Sequence, residues 1–313
     1  MIHIVADQKS FSKSSSLNRY RTLLYLKEKH NVSILEPPIL DINCVVENDT
    51  VIFYFLRPHN HPSVKNIIPY IDKMKMKKAK IIFYIEDIYH VDLIKRLCER
   101  YSVFDVIFSI KHQKIMSKFG RKYSIKVWDH TIDLNMFRPY QETKTTDILF
   151  YGCKQSKTYP FRKRLYTILK QNPKLQGLRK KFIEFRNYEN TSAILMEEDL
   201  AKEISRSYLA VATTSKYNFL VKKYLEIPAC GTMILGNIPT NYKNLYNEET
   251  MCAVNINMTG NEIANKILEI LSNKNNLREK TNHLQKSIEL HFDRKKSFEN
   301  LKKILMEHSV NIK

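Results

Sequence analysis

The stretch that decides the fold is Val51-Ile-Phe-Tyr-Phe-Leu56, six apolar residues in a row. Ile81-Ile-Phe-Tyr-Ile85 repeats this pattern, and the segment from Val103 to Ile110 is a third apolar run. A strand of a parallel sheet that is covered on both faces has a continuous apolar sequence rather than an alternating one. Helical patterns at Val64 to Lys78 and Val91 to Tyr101 separate the runs. The first part of the chain is therefore predicted to be a doubly wound α/β domain.

The same alternation returns in the second half of the chain. Asp147-Ile-Leu-Phe-Tyr151 is predicted to be a strand that ends at Gly152, and Arg162 to Gln171 a helix. Further strands are predicted at Phe182–Phe185, Leu209–Thr213, Met233–Leu235 and Cys252–Ile256, and further helices at Asn218–Ala229, Ile263–Ser272 and Asp293–His308. Two doubly wound halves with a cleft between them follow, and in such sheets ligands bind beyond the carboxyl ends of the strands.

Composition excludes several classes of protein. Of the 313 residues, 43% are hydrophobic and 27% are charged, which is typical of a globular protein. A chain of this length is more often two domains than one. Only 6 glycines occur, and none are clustered, which excludes a Gly-x-Gly-x-x-Gly dinucleotide site and a P-loop. The 5 cysteines form no Cys-x-x-Cys pair. We therefore expect reduced thiols in a cytoplasmic protein and no zinc knuckle. The amino-terminal segment and the short apolar runs also predict that there is no signal peptide or transmembrane segment.

The charge of the chain has two interpretations. There are 52 Lys and Arg against 32 Asp and Glu, a formal net charge of +20. The excess can reflect the Lys- and Asn-rich composition that an AT-rich genome produces. It can also indicate a polyanionic partner, such as nucleic acid, an anionic membrane surface or a phosphorylated substrate.

The segment most informative about function is Lys222-Lys-Tyr-Leu-Glu-Ile-Pro-Ala-Cys-Gly-Thr232, which precedes the apolar strand at Met233. Lys223 and Glu226 are three residues apart, so a helix places both on one face, and Gly231 is predicted to end that helix. A carboxylate here can accept hydrogen bonds from a ribose diol, and a nearby cation can bind phosphate. The alternative is a surface Lys–Glu pair of no functional consequence.

This segment resembles the nucleotide-sugar motif of GT-B glycosyltransferases, in particular the group 1-like and spore-maturation-type enzymes. The resemblance implies that Glu226 binds the donor ribose and that Lys222, Lys223 and Gly152 also lie at the donor. Related enzymes often have a second Glu eight positions earlier, where this chain has Asn218. The two-carboxylate motif of retaining enzymes is therefore incomplete.

Other segments resemble the same family. Ile132-Asp-Leu-Asn-Met-Phe-Arg-Pro139 is similar to the linker that precedes the second domain in this family. The segment from Phe292 to Leu305 is similar to the family's closing helix. The implied domains are 1–139 on the acceptor side, 140–290 for the nucleotide sugar, and a carboxyl-terminal helix at 291–313 that packs back on the first. Arg162 and Arg164, at the start of a helix, suit a diphosphate; a solvated basic helix face is the alternative.

The first half offers a candidate base in Tyr84-Ile-Glu-Asp-Ile-Tyr-His90, which follows a buried strand. The segment resembles the strand and catalytic Asp of T-even phage DNA β-glucosyltransferases, which implies that Asp87 deprotonates the acceptor hydroxyl. That resemblance implies an inverting GT-B enzyme. Glu86 and His90 are the alternative bases, and helix capping is the structural alternative for Asp87.

The loop Arg57-Pro-His-Asn-His-Pro62 follows another predicted strand. His59 and His61 have no third ligand close in sequence, so we expect Arg57, His59 and His61 to line the acceptor side rather than to bind a metal. GT-B enzymes as a class need no metal or other cofactor for the chemistry, because helix dipoles and basic side chains stabilise the leaving diphosphate.

These observations predict a glycosyltransferase that moves a sugar from a nucleotide diphosphate, with UDP the expected nucleotide, to an acceptor hydroxyl with inversion. The acceptor is either a hydroxymethylated base in DNA or a surface, capsid or spore glycan or protein. A viral enzyme would act in the host cytoplasm. The alternative from another class is a non-catalytic nucleic-acid-binding protein on a GT-B scaffold. The sequence does not fix the oligomeric state.

Overall fold

The fold is described from a computed structural model of the chain. The structure describes residues 1–6, 17–36, 42–55, 68–85, 91–108, 119, 122–154, 157–184, 197–216, 218 and 220–310. No helix in these ranges is long and apolar enough to cross a membrane.

The chain forms two compact units. The first contains Met1–Thr131 together with Arg294–Lys313, and the second contains Ile132–Asp293. The division thus falls eight residues before the expected boundary at 139. The reason is that Ile132 donates its backbone N–H to the Phe292 carbonyl over 2.8 Å, and Phe137 is buried in the core of the second unit.

The first unit is built on a parallel sheet of six strands in the order β2-β1-β3-β4-β5-β6. The strands are β1 (Ile2–Val5), β2 (Ser33–Leu35), β3 (Thr50–Phe55), β4 (Lys80–Ile85), β5 (Asp105–Phe108) and β6 (Ser124–Val127). The helices are α1 (Leu17–His30), α2 (Pro69–Met76), α3 (Val91–Tyr101) and, from the end of the chain, α9 (Ser297–Val310).

The central strands of this sheet are buried as their apolar sequences predict. Ile52, Phe53, Ile82 and Phe83 are each 0% exposed, so β3 and β4 are covered on both faces. On one face the core includes residues of α1 and α9, such as Leu26. Burial of such a side chain contributes about 1.5–3 kcal/mol, which accounts for the attachment of the chain's last helix to its first unit.

The second unit is built on a parallel sheet of five strands in the order β11-β10-β9-β7-β8. The strands are β7 (Thr146–Tyr151), β8 (Lys180–Ile183), β9 (Ser207–Val211), β10 (Met233–Gly236) and β11 (Cys252–Ala253). The helices are α4 (Pro160–Gln171), α5 (Glu197–Ser205), α6 (Lys223–Ala229), α7 (Gly260–Ser272) and α8 (Lys274–Phe292).

Several elements differ from the sequence prediction. Helix α6 begins at Lys223 and not at Asn218, because Asn218 has φ of +56°, which is outside the range of a right-handed helix. Helix α8 was not predicted, since most of its 19 residues are polar. Its apolar residues at 277, 284, 288 and 292 nevertheless fall on one buried face. Gly231, with φ of +69°, follows the end of α6 as predicted.

Candidate functional site

The sheet of the second unit has a point where the strand order reverses. β7 is the first strand of this sheet in the chain; β8 lies on one side of it and β9 on the other. The connections from β7 and β9 therefore leave in opposite directions and open a crevice at the carboxyl ends of these strands, where doubly wound sheets bind ligands. Tyr151 ends β7 and Val211 ends β9.

Tyr151 contacts both residues of α6 that the sequence indicates as donor-binding, Lys223 and Glu226. Its hydroxyl donates a hydrogen bond to Glu226 Oε2 over 3.0 Å. The Lys223 ammonium donates to the Tyr151 carbonyl and lies 4.0 Å from the centre of the Tyr151 ring. Both contacts are possible because Lys223 and Glu226 lie three residues apart in the first turn of α6 and share a face.

Burial shifts the pKa values of the residues in this cluster. Burial raises the pKa of Glu226, while Lys222, the Tyr151 hydroxyl and Lys223 act in the opposite direction. Burial also lowers the pKa of Lys223 well below its usual value, and the neighbouring Arg162 lowers it further. Burial and the Glu226 carboxylate raise the pKa of Tyr151 far above its usual range, so its hydroxyl remains a hydrogen-bond donor at physiological pH.

Arg162 connects the loops that follow β7 and β9. Its side chain is buried, and Nε and Nη2 donate to the hydroxyl and the carbonyl of Thr213 over 3.1 and 3.2 Å. Nη1 donates to the Cys153 carbonyl over 3.3 Å. The guanidinium also stacks on Tyr159, 3.7 Å from the ring centre. Arg162 therefore fixes both sides of the crevice and leaves a cation there.

Arg164 and Gly152, two other predicted donor residues, lie at different places in the structure. The Arg164 guanidinium donates to the carbonyls of Ile256 and Met258, in the loop after β11. It lies two positions from Arg162, and such residues do not share a helix face. Gly152 has φ of +100° and donates its N–H to the Ile183 carbonyl over 2.9 Å, so it turns the chain directly after Tyr151.

The remaining groups of the cluster define what it can bind. Glu226 is half-buried, and its Oε1 has no hydrogen-bond partner within the described residues. A carboxylate oxygen in this state can accept from a pair of vicinal hydroxyls, while Lys223 and Arg162 can approach an anion. The side-chain amide of Asn218 donates a hydrogen bond to the Thr240 hydroxyl.

The predicted acceptor-side residues Arg57, His59, His61, Glu86, Asp87 and His90 lie outside the described residues. Within the described part of the first unit, a small open pocket lies near the carboxyl ends of β3, β4 and β6. Tyr54, Tyr84 and Trp128 line it together with Asp129 and His130. The pocket thus combines aromatic rings with ionisable side chains.

Sequence reasoning did not select Tyr151 or Thr213, although both hold the cluster together. Tyr151 reads as the last apolar residue of a strand, and its signal is the glycine that follows it. A hydroxyl-bearing residue before a turn at the carboxyl end of a central strand lies where ligands bind. Thr213 carries no comparable signal, because its partner Arg162 is 51 residues away in the sequence.

Comparisons with known proteins identify the fold. No protein-family model matches the chain, and the search of curated proteins found no match. Among solved structures, Anabaena HepE in complex with UDP and glucose has 12% identity and a TM-score of 0.61, covering 97% of this chain and 99% of its own. Sucrose-phosphate synthase from Thermosynechococcus elongatus has 12% identity and a TM-score of 0.56, covering 97% and 79%.

A third similar structure is the pneumococcal O-GlcNAc transferase GtfA in complex with UDP and GlcNAc. It has 13% identity and a TM-score of 0.54, covering 84% of this chain and 57% of its own. The chain therefore has the GT-B fold that the sequence predicted. The resemblance to the phage DNA β-glucosyltransferases has no support among these three structures.

Proposed function

We propose that the chain is a glycosyltransferase that binds a nucleotide-diphosphate sugar at the carboxyl edge of its second sheet. The observation that supports the proposal is the Glu226 carboxylate, which accepts a hydrogen bond from the Tyr151 hydroxyl close to Lys223, at the point where the strand order reverses. The GT-B fold supports the same function. Fold alone does not determine a reaction, so the proposal depends on this cluster.

Each charged group of the cluster has a role in donor binding. Glu226 accepts hydrogen bonds from the ribose diol through Oε1. Lys223, Lys222 and Arg162 supply positive charge for the diphosphate, which becomes more negative as the sugar leaves. UDP is the expected nucleotide, since HepE and GtfA were both crystallised with UDP.

The reaction we propose is a single displacement. The acceptor hydroxyl oxygen forms a bond to the anomeric carbon of the sugar as the bond from that carbon to the diphosphate oxygen breaks. Asp87, selected from the sequence, takes the hydroxyl proton, and the diphosphate leaves with the electron pair of the broken bond. The configuration of the anomeric carbon is inverted, in keeping with the neutral Asn218 at the position of a second carboxylate.

Two acceptor classes fit this reaction. The net charge of +20 favours DNA with hydroxymethylated bases, and the likeness to group 1-like and spore-maturation-type enzymes favours a glycan or protein. A DNA acceptor predicts that binding weakens steeply as salt is raised, because counterions are released from the phosphates. A non-catalytic nucleic-acid-binding protein would show the same salt dependence without any sugar transfer.

Donor binding is tested by thermal unfolding with UDP and a set of UDP-sugars. A donor present at about 100 times its dissociation constant stabilises the protein by about 2.7 kcal/mol. Glu226→Gln should remove most of this stabilisation. The matched control is Glu184→Gln, which removes a carboxylate that pairs with Lys154 over 2.8 Å just after the neighbouring strand β8.

Transfer is tested with the donor that binds best, offered with hydroxymethylated DNA or with glycan acceptors. Asp87→Ala should abolish transfer and leave donor binding nearly unchanged. Equal donor binding by the wild type and Glu226→Gln would contradict the proposed donor site. Full transfer by Asp87→Ala would contradict only the choice of base.

A further inference from the structure

Exposed apolar side chains gather at one edge of the first sheet. In the part of the chain that the structure describes, the large hydrophobic side chains at this edge are Met1 (62% exposed), Val46 (60%), Met76 (78%) and Phe104 (37%). They precede β1, β3, β4 and β5, which are neighbours in the sheet. Because these strands are parallel, their amino ends share one edge. We define the amino edge as residue 1 together with residues 42–49, 73–80, 99–105 and 122–123.

Hydrogen bonds join the turns of the amino edge into one surface. The Lys77 ammonium donates to the Val45 carbonyl over 3.0 Å, and the Lys75 ammonium donates to the Tyr101 carbonyl. These bonds tie the turn before β4 to the turns before β3 and β5. Strands in a sheet lie about 4.8 Å apart, so the backbones of β1 and β5, three strand spacings apart, are separated by about 14 Å.

The amino edge is also basic. Its residues include seven Lys and Arg side chains against four carboxylates, and six of the seven remain when Lys80, whose ammonium is buried, is set aside. The Lys78 side chain is 73% exposed and pairs with the exposed Glu47 carboxylate over 3.3 Å. One of the carboxylates, Asp49, is buried and paired with the Met1 ammonium and with His3. The Lys122 ammonium lies 4.9 Å from the centre of the Phe104 ring, so cationic and apolar groups alternate along the surface.

We propose that the amino edge is a docking surface for an anionic lipid membrane. Lysines attract an anionic bilayer, and apolar side chains beside them insert at the boundary of headgroups and acyl chains. A nucleic acid would neutralise the lysines but would leave Met76 and Val46 in water, since phosphates offer no apolar contact. The combination of both kinds of side chain therefore favours lipid.

Docking at the amino edge has a consequence for the first unit. The carboxyl ends of its strands lie at the opposite edge, where the pocket lined by Tyr84 and Trp128 is found. That pocket would face away from the bilayer and stay accessible from the aqueous side. The inference is independent of the proposed function, because no residue of the candidate donor site belongs to the amino edge.

The test is co-sedimentation of the full chain with phosphatidylcholine vesicles that contain about 30% phosphatidylserine. The wild type should sediment with these vesicles and not with pure phosphatidylcholine. Met76→Ser combined with Phe104→Ser should weaken binding about tenfold, and Lys73→Glu combined with Lys78→Glu at least as much. All four substitutions are at exposed positions and should leave the thermal unfolding midpoint within about 2 °C.

The matched control is Met306→Ser combined with Leu290→Ser, which removes two apolar side chains that are 63% and 57% exposed outside the amino edge. This variant should bind vesicles like the wild type. Equal vesicle binding by the wild type and the Met76→Ser, Phe104→Ser variant would overturn the proposal. Duplex DNA that displaces the vesicles and binds that variant as tightly as the wild type would also overturn it, because the surface would then serve nucleic acid.

Discussion

Tyr151→Phe removes one hydroxyl from the candidate donor site and keeps the ring. The hydroxyl donates to Glu226 Oε2 over 3.0 Å, and this bond lowers the pKa of Glu226 against the effect of burial. A hydrogen bond to a charged group contributes about 1.5–3 kcal/mol, and a half-buried carboxylate belongs at the lower end of that range. Since about 1.4 kcal/mol corresponds to one pKa unit, the substitution should raise the pKa of Glu226 by about one unit.

The assay is calorimetric titration with UDP across the pH range. Affinity of the wild type should fall at low pH as Glu226 gains a proton, and at high pH as Lys223, whose pKa burial lowers, loses one. In Tyr151→Phe the acid limb should move to higher pH by about one unit. The alkaline limb should stay, because Lys223 contacts the carbonyl and ring that the variant retains. The titration of UDP itself is common to both proteins.

Tyr166→Phe is the control for this experiment. The Tyr166 hydroxyl also donates to a carboxylate, that of Glu184, which follows the neighbouring strand β8. The variant therefore loses the same kind of bond at a second place on the same unit, and its acid limb should coincide with that of the wild type. An unmoved acid limb in Tyr151→Phe, or an equal movement in Tyr166→Phe, would refute the assignment of Glu226 as the ribose acceptor held by Tyr151.

Three further predictions concern stability. A Cβ on Gly236 would lie 1.6 Å from the Ala212 carbonyl oxygen, so Gly236→Ala should lower the free energy of unfolding by about 3 kcal/mol or more in urea denaturation. Burial alone would raise the pKa of Asp49, but its bonds to an ammonium, an N–H and a histidine lower it from 3.8 to about 2. Asp49→Asn should therefore cost about 2 kcal/mol at neutral pH, a difference that disappears as pH falls from 3.8 to 2. Arg162→Lys, which cannot reach both loops of the crevice, should lower stability by about 2 kcal/mol and weaken UDP binding.

Each of these predictions has a matched control. Gly177→Ala adds a Cβ with no heavy atom within 4 Å and should be neutral, so equal destabilisation at both glycines would contradict the argument from close approach. Glu47→Gln removes an exposed carboxylate of the same turn as Asp49 and should show no acid-dependent difference. Arg164→Lys should leave UDP affinity unchanged, because its contacts lie in the loop after β11.

The central strands of the first sheet could be predicted because a strand that is buried on both faces has a continuous apolar sequence. The apolar runs that begin at Val51 and Ile81 indicate β3 and β4 without any information from the rest of the chain. β6, Ser124–Val127, escaped prediction because it is an edge strand, and its residues are all only half-buried. Edge position removes the apolar run on which the prediction depends.

The candidate site was predictable where it is local in sequence. Lys223 and Glu226 share a helix face whatever the rest of the chain does, so their proximity followed from spacing alone. Their contact with Tyr151 depends on how α6 packs beside β7, which no spacing encodes. Arg162 and Arg164 were expected at one site because they are close in the sequence. In the structure they lie on different sides of α4, where Arg162 donates to the Thr213 carbonyl and Arg164 to the Met258 carbonyl.

Arg162 also explains how a chain with only 6 glycines can fix the two loops beside the crevice. Glycine-rich sites curl the backbone around the anion, which requires clustered glycines. Here the guanidinium bonds the Cys153 carbonyl and both oxygens of Thr213, so a side chain fixes the two loops. Those bonds use three of the five guanidinium N–H groups. Because this cation is already held in place, binding of the proposed donor diphosphate would not also have to order its own counter-charge.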